Sequence, residues 1–337
     1  MTKFSTLVLC ALLLVFSTGA RADLQAAQDA YANADYPVAL KEFTRLATAG
    51  DASAQFALGM MYAKGRGVAQ DYSAAVSWYR KAADQGEVSS QVNLGVIYSK
   101  GLGVSRDYNQ AVSWYRKAAE QGDAVAQFNL GVMYANGLGV SQDYSQSVFW
   151  YRRAAEQGDA VAQLNLAAKH AAGQGVAQDV REAVVWYRRA AEQGNAPAQY
   201  RLAVEYVNGD GVPQDYSEAV VWYRRAAEQG HAHAQFNLGV RYANGEGVVQ
   251  DFAQAAAWYQ RAAEQGLHGA QNNLGVLFYS GQGVARDPVQ AYKWITLARD
   301  AGNADAVYNR EVAEAVMTPE QVQEASALVS DWLARHK

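Results

Sequence analysis

Apolar residues recur along this chain in two alternating short stretches, each with helical spacing. Between Asp123 and Gly158, for example, Ala126, Leu130 and Tyr134 fall four residues apart and share one face of a helix over about 124–135. After a polar gap, Val148, Tyr151, Ala154 and Ala155 mark the apolar side of a second helix over about 144–156. The two-stretch unit returns every 36 residues: Gly50, Gly86, Gly122, Gly158, Gly194, Gly230, Gly266 and Gly302 keep that spacing. So do Trp78, Trp114, Trp150, Trp186, Trp222, Trp258 and Trp294. A G-x-G pair, from Gly65 and Gly67 to Gly281 and Gly283, separates the two helices of each unit. Seven units follow, at 51–86, 87–122, 123–158, 159–194, 195–230, 231–266 and 267–302.

The punctuation agrees with helix pairs. Asp143 stands at an N-cap with Gln146 three residues on, a capping-box pattern shared by Asp107 with Gln110, Asp179 with Glu182, Asp215 with Glu218 and Asp251 with Gln254. Glycine after each second helix supplies a left-handed stop. Gly59, Gly95, Gly131, Gly239 and Gly275 lie inside first helices, with Ala167 and Ala203 at the same place in units four and five. A helical glycine costs roughly 1 kcal/mol against alanine, so its recurrence implies a close helix contact. The tryptophans are expected to be structural, filling the space between consecutive units with the tyrosine that follows most of them. Residues 23–50 and 303–337 have the phase of covering helices, which a stacked array needs at its ends.

Composition then narrows function. Lys3, the apolar run Leu7 to Phe16 and Ala20-Arg21-Ala22 form a secretory signal over 1–22, with cleavage expected after Ala22 and a periplasmic or secreted destination. The run is too short to cross a bilayer and no later stretch is continuously apolar, so no transmembrane segment is expected after cleavage. The one cysteine, Cys10, lies within that signal, leaving packing alone to hold the remainder together. The full chain has 29 basic and 33 acidic residues, and loss of Lys3 and Arg21 makes it more acidic still, which argues against nucleic acid as a partner.

The unit A-x-A-Q-F-N-L-G-V-M-Y, G-x-G-V-x-x-D-Y, A-V-x-W-Y-R-R-A-A-E-Q-G closely resembles the Sel-one-like repeat, a relative of the tetratricopeptide repeat, over residues 51–302. The resemblance implies an all-α, right-handed superhelical solenoid of antiparallel helix pairs with a concave face. It also implies a role as an adaptor, envelope protein or secreted bacterial factor that contacts partner proteins. Unit four departs from the pattern at Leu166-Ala167-Ala168-Lys169-His170, where looser packing or a polar spot is expected, and the disulfide-rich branch of the family has cysteines that this chain lacks.

With Asp123 as position one, positions four, five, eight, nine and twelve share one side of the first helix, and positions three, six, seven, ten and fourteen the other. By resemblance that second side lines the groove. Position six, Phe56, Val92, Phe128, Leu164, Tyr200 and Phe236, gives it an apolar floor or else belongs to the core. Position seven, Asn93, Asn129, Asn165, Arg201 and Asn237, suits either a peptide backbone or ties between units. Lys169, His170, Arg201, Glu205, His233 and Arg241 add charge in units four to six, a candidate specificity patch at the groove edge. The paired bases such as Arg152-Arg153 and Arg188-Arg189 read as solvated outer-face charges, and the A-E-Q-G glutamates as partners for neighbouring bases.

Enzymatic signatures are absent from this pattern. The G-x-G loops follow helices rather than strands, His231 and His233 lack a third ligand, and no nucleophile stands beside a base. The expectation is a scaffold that binds a protein or peptide, with no catalytic residue, metal or cofactor. Cell-wall chemistry on penicillin-type ligands and a plain structural spacer are the alternatives.

Overall fold

The computed structural model describes residues 22–336, and among them every regular element is a helix. The expected signal segment lies outside the described residues except for Ala22, which begins α1 (22–32). The covering helix α2 (Tyr36–Thr48) follows. Seven pairs come next: α3 (Ala52–Lys64) with α4 (Tyr72–Asp84), α5 (Val88–Lys100) with α6 (Tyr108–Glu120), and α7 (Ala124–Asn136) with α8 (Tyr144–Glu156). They continue as α9 (Ala160–Ala172) with α10 (Val180–Glu192), α11 (Ala196–Asn208) with α12 (Tyr216–Glu228), α13 (Ala232–Asn244) with α14 (Phe252–Glu264), and α15 (His268–Ser280) with α16 (Pro288–Asp300). The closing helices are α17 (Asp305–Glu314) and α18 (Pro319–Arg335). The chain divides into two bodies, one ending at Asp159 and one beginning at Ala160. Each is a run of packed helix pairs, the TPR-like solenoid arrangement.

Within a pair, the small residue of the first helix meets the tyrosine or isoleucine of the second. A Cβ on Gly59, Gly131 or Gly239 would come within 2.6–2.7 Å of the ring of Tyr79, Tyr151 or Tyr259, and one on Gly275 within 2.5 Å of Ile295. The helices therefore approach more closely there than an ordinary side chain allows. Trp114, Trp150, Trp186, Trp222, Trp258 and Trp294 are buried, and Trp78 is half-buried near the start of the array.

The second helices are capped as their aspartates suggested: Asp143 accepts from the Gln146 amide at 2.9 Å and Asp107 from that of Gln110 at 3.0 Å. The reciprocal half of the capping box is not made at these sites. The aspartate's own amide already donates to the first helix, Asp107 to the Tyr98 carbonyl at 2.9 Å and Asp143 to that of Tyr134 at 3.0 Å. Only Thr318 and Gln321, at the start of α18, complete a box among the described residues. α17 stops at Glu314, and the chain becomes extended at Thr318 before Pro319.

A buried glutamine joins consecutive units. Gln91 and Gln127, at position five, donate to the Ala83 and Ala119 carbonyls of the preceding second helices, both at 3.1 Å. Their side-chain oxygens accept from Gln121 at 2.9 Å and Gln157 at 2.8 Å, the glutamines of A-E-Q-G. Gln199 and Gln235 repeat this with Gln229 and Gln265 in the second body. Each of these four buried amides thus has a partner for its oxygen and one for its nitrogen.

The paired bases are not merely solvated, contrary to the sequence reading. The first base of a pair reaches the position-twelve tyrosine of the next unit: Arg80 binds the Tyr98 hydroxyl, Arg116 that of Tyr134 at 2.8 Å, Arg188 that of Tyr206 at 2.6 Å and Arg224 that of Tyr242 at 2.7 Å. The second base lies over its own unit's tryptophan, as Lys117 does over Trp114 at 4.0 Å and Arg189 over Trp186 at 4.5 Å. The A-E-Q-G glutamates Glu120, Glu156, Glu192, Glu228 and Glu264 form none of the ion pairs found among the described residues.

Candidate protein-binding face

The first helices turn one side toward the second helices and leave the other open. Position four is buried throughout the units, while position three is exposed, as at Val125 (50%) and Val161 (45%). Position six falls between these extremes. Phe56, Val92, Phe128, Leu164, Tyr200 and Phe236 are half-buried. Four of them rest a ring on the second-helix tyrosine of their own unit, Phe56 on Tyr79, Phe128 on Tyr151, Tyr200 on Tyr223 and Phe236 on Tyr259, with centroids 5.9–6.0 Å apart. One edge of each ring belongs to the core and the other to the open face, so the choice between groove and core has both answers. The buried tyrosines hold their protons more tightly than usual because burial disfavours the phenolate; Tyr223 is pushed up to about 12.

The position-seven residues are used individually. Asn129 and Asn165 donate to carbonyls one turn back in their own helices, Val125 and Val161, at 2.8 Å. Asn237 reaches across units to the Tyr223 hydroxyl at 3.2 Å. Asn93 is half-buried, and Arg201 is exposed.

The expected specificity patch divides in two. Lys169, Glu205 and Arg241 occupy position eleven, where Met61, Ile97, Met133 and Leu277 are buried in other units. They are therefore not a free rim of charge. Arg241 pairs with Glu246 of its own G-x-G loop and covers the Tyr216 ring, and Lys169 donates to Gln174 at 2.8 Å. Burial holds the Glu205 carboxyl above its usual range, with Arg201 pulling the other way, and burial lowers the Lys169 ammonium. His170 is buried at position twelve, so unit four shows no polar spot there.

Arg201 and His233, by contrast, line a cavity of 320 Å³ on the open face, with Tyr187, Tyr200, Asn165 and His231. His231 is the N-cap of α13: its Nδ1 accepts the Ala234 amide at 3.2 Å, which places the ring's proton on Nε2. Its ring stacks on Tyr200 with centroids 4.8 Å apart, so it does not simply face solvent. Burial, then His233, lowers its pKa. A second cavity, 230 Å³, lies between the covering helices and unit one and is walled by Tyr31, Phe43, Phe56 and Met60 together with Gln28, Ser53 and Glu87. Among the described residues no group of three metal-binding side chains converges. No helix there is long and apolar enough to cross a membrane.

Stacked helix pairs with one open, partly aromatic face define a repeat scaffold. The Sel1 repeat family model matches seven consecutive segments, 52–87, 88–123, 124–159, 160–195, 196–231, 232–267 and 268–303, and the chain belongs to that family. A solved Sel1 repeat protein from Oxalobacter formigenes is 34% identical, over 87% of this chain and 88% of that one, with a TM-score of 0.68. A protective antigen present in uropathogenic Escherichia coli strains, solved with the same repeat fold, is 38% identical over 89% of this chain and 72% of its own, at TM-score 0.59. No curated protein matches. Sel1 repeat solenoids generally mediate protein–protein interaction and are typically non-enzymatic scaffolds.

Proposed function

We propose that this chain is an exported scaffold that holds a protein or peptide partner against the open face of its first helices, in the bacterial envelope or outside the cell. The observation that carries the reading is the half-buried position-six residues within each body, beside exposed Val125 in the first and exposed Val161 in the second, which leave apolar surface open beside pockets of side-chain size. The 38%-identical relative's being a protective antigen supports an exported location, as does the N-terminal signal pattern.

Truncating Phe128, Tyr200 or Phe236 would disturb the tyrosines beneath them, so the better probes are the exposed valines. The double variant Val125→Gln, Val161→Gln should keep its helical circular dichroism and melting temperature. It should lose about tenfold in affinity for partners cross-linked to the wild-type chain in its host and then purified. Unchanged affinity would exclude this face. Export is checked separately by fusing residues 1–30 to alkaline phosphatase, an enzyme active only once exported; no activity would reject it.

A further inference from the structure

Resting on that reading, we infer that the cavity between α9, α11 and the start of α13 is a subsite for an acidic side chain of the partner, with Arg201 as its cation. The cavity has largely apolar walls, with Leu164, Pro197, Tyr187 and Tyr200, into which Arg201, His231, His233 and Asn165 bring polar groups, and no carboxylate lines it. Arg201 makes no ion pair among the described residues, whereas Arg241 of the next unit is held by Glu246. Glu205, one turn along the same helix, interacts with Arg201 but is drawn into the position-eleven layer and does not line the cavity. The guanidinium therefore keeps its donors for something else, in a protein whose formal net charge is −4.

Shape and chemistry agree. The Arg201 guanidinium carbon sits 6.0 Å from the centroid of the Tyr200 ring, and Tyr200 packs against the Tyr223 ring and stacks on His231. A planar fork beside an aromatic wall suits a carboxylate, which it can meet with two parallel hydrogen bonds. Burial raises the Tyr187 pKa against the opposing charge of Arg201, so its hydroxyl stays protonated and able to donate. A lysine or arginine side chain would meet like charge there and find no carboxylate to pair with. Units one to three offer no equivalent, since position seven is Ala57, Asn93 and Asn129. The subsite thus gives the face of the second body a register mark, which its near-identical units otherwise lack.

The test is selection of a random dodecapeptide library displayed on phage against the folded chain, followed by fluorescence anisotropy with the synthetic winners. Peptides with Asp or Glu at one shared position should be enriched. Changing that residue to its amide, or the protein by Arg201→Gln, should each weaken binding roughly tenfold to a hundredfold, and together no more than either alone. Arg201 is exposed, so its variant should melt like the wild type. Selected peptides without an acidic preference, or acidic peptides indifferent to Arg201→Gln, would overturn the subsite while leaving the groove standing. Recovery of no peptide at all would remove the groove reading and the subsite with it.

Discussion

Glutamine at position five is the residue on which the joints turn. Its amide is buried, and a buried polar group is tolerable only when paired. Gln271 tests this rule within the molecule: its nitrogen donates to the Ala263 carbonyl at 3.2 Å, but its oxygen has no partner, because Ala301 stands where Gln121, Gln157, Gln229 and Gln265 stand in other units. Ala301→Gln should supply the missing donor and stabilise the chain by about 0.5–1.5 kcal/mol, seen as a higher urea midpoint with unchanged slope. In the background of Gln271→Leu, which removes the orphan acceptor, the same substitution should have no such effect.

At the scale of the element, caps set where each helix begins, and one of them titrates. α13 alone among the first helices uses a histidine cap, and His231 can accept the Ala234 amide only when Nδ1 is unprotonated. Its pKa is lowered in the fold, chiefly by burial, so the unfolded chain takes up the proton first as pH falls. Its contribution is therefore complete above the ordinary histidine value of about 6.5 and is lost as pH drops from there through the lowered folded value. Melting followed between about pH 8 and pH 5 should show this loss, and His231→Asn, a cap that accepts without titrating, should flatten that part of the profile. Equal slopes for the two proteins would remove His231 from the account.

At the scale of the molecule, an array of like units is only as stable as its exposed ends permit. α18 covers the last units with Ala325 and Val329, both buried, and packs Trp332 against the core around Trp294. A chain ended after Met317 should lose several kcal/mol, since each large apolar side chain returned to water costs about 1.5–3 kcal/mol. The loss should appear as a lower melting temperature and new binding of a hydrophobic dye, concentrated in α15 and α16 by hydrogen exchange.

The amino-acid order by itself determined the period, the helix pairs and nearly all their ends, because those features depend on residues within a turn or two of each other and are written seven times. It also grouped positions three, six and seven on one side of each first helix, at 100 degrees per residue, and the resemblance to a known repeat implied that this side is the open one. Only the tertiary structure decided what each open position does. Arg241 and Lys169 looked like Arg201 in sequence, yet they are half-buried at position eleven while Arg201 is exposed at position seven. Angle around a helix says which way a side chain leaves; what covers it is contributed by residues outside its own helix, as Tyr216 lies under Arg241 and Gln157 covers Gln127. The same reason hid the glutamine joints and the arginine–tyrosine bonds, whose partners meet only when one unit is laid on the next.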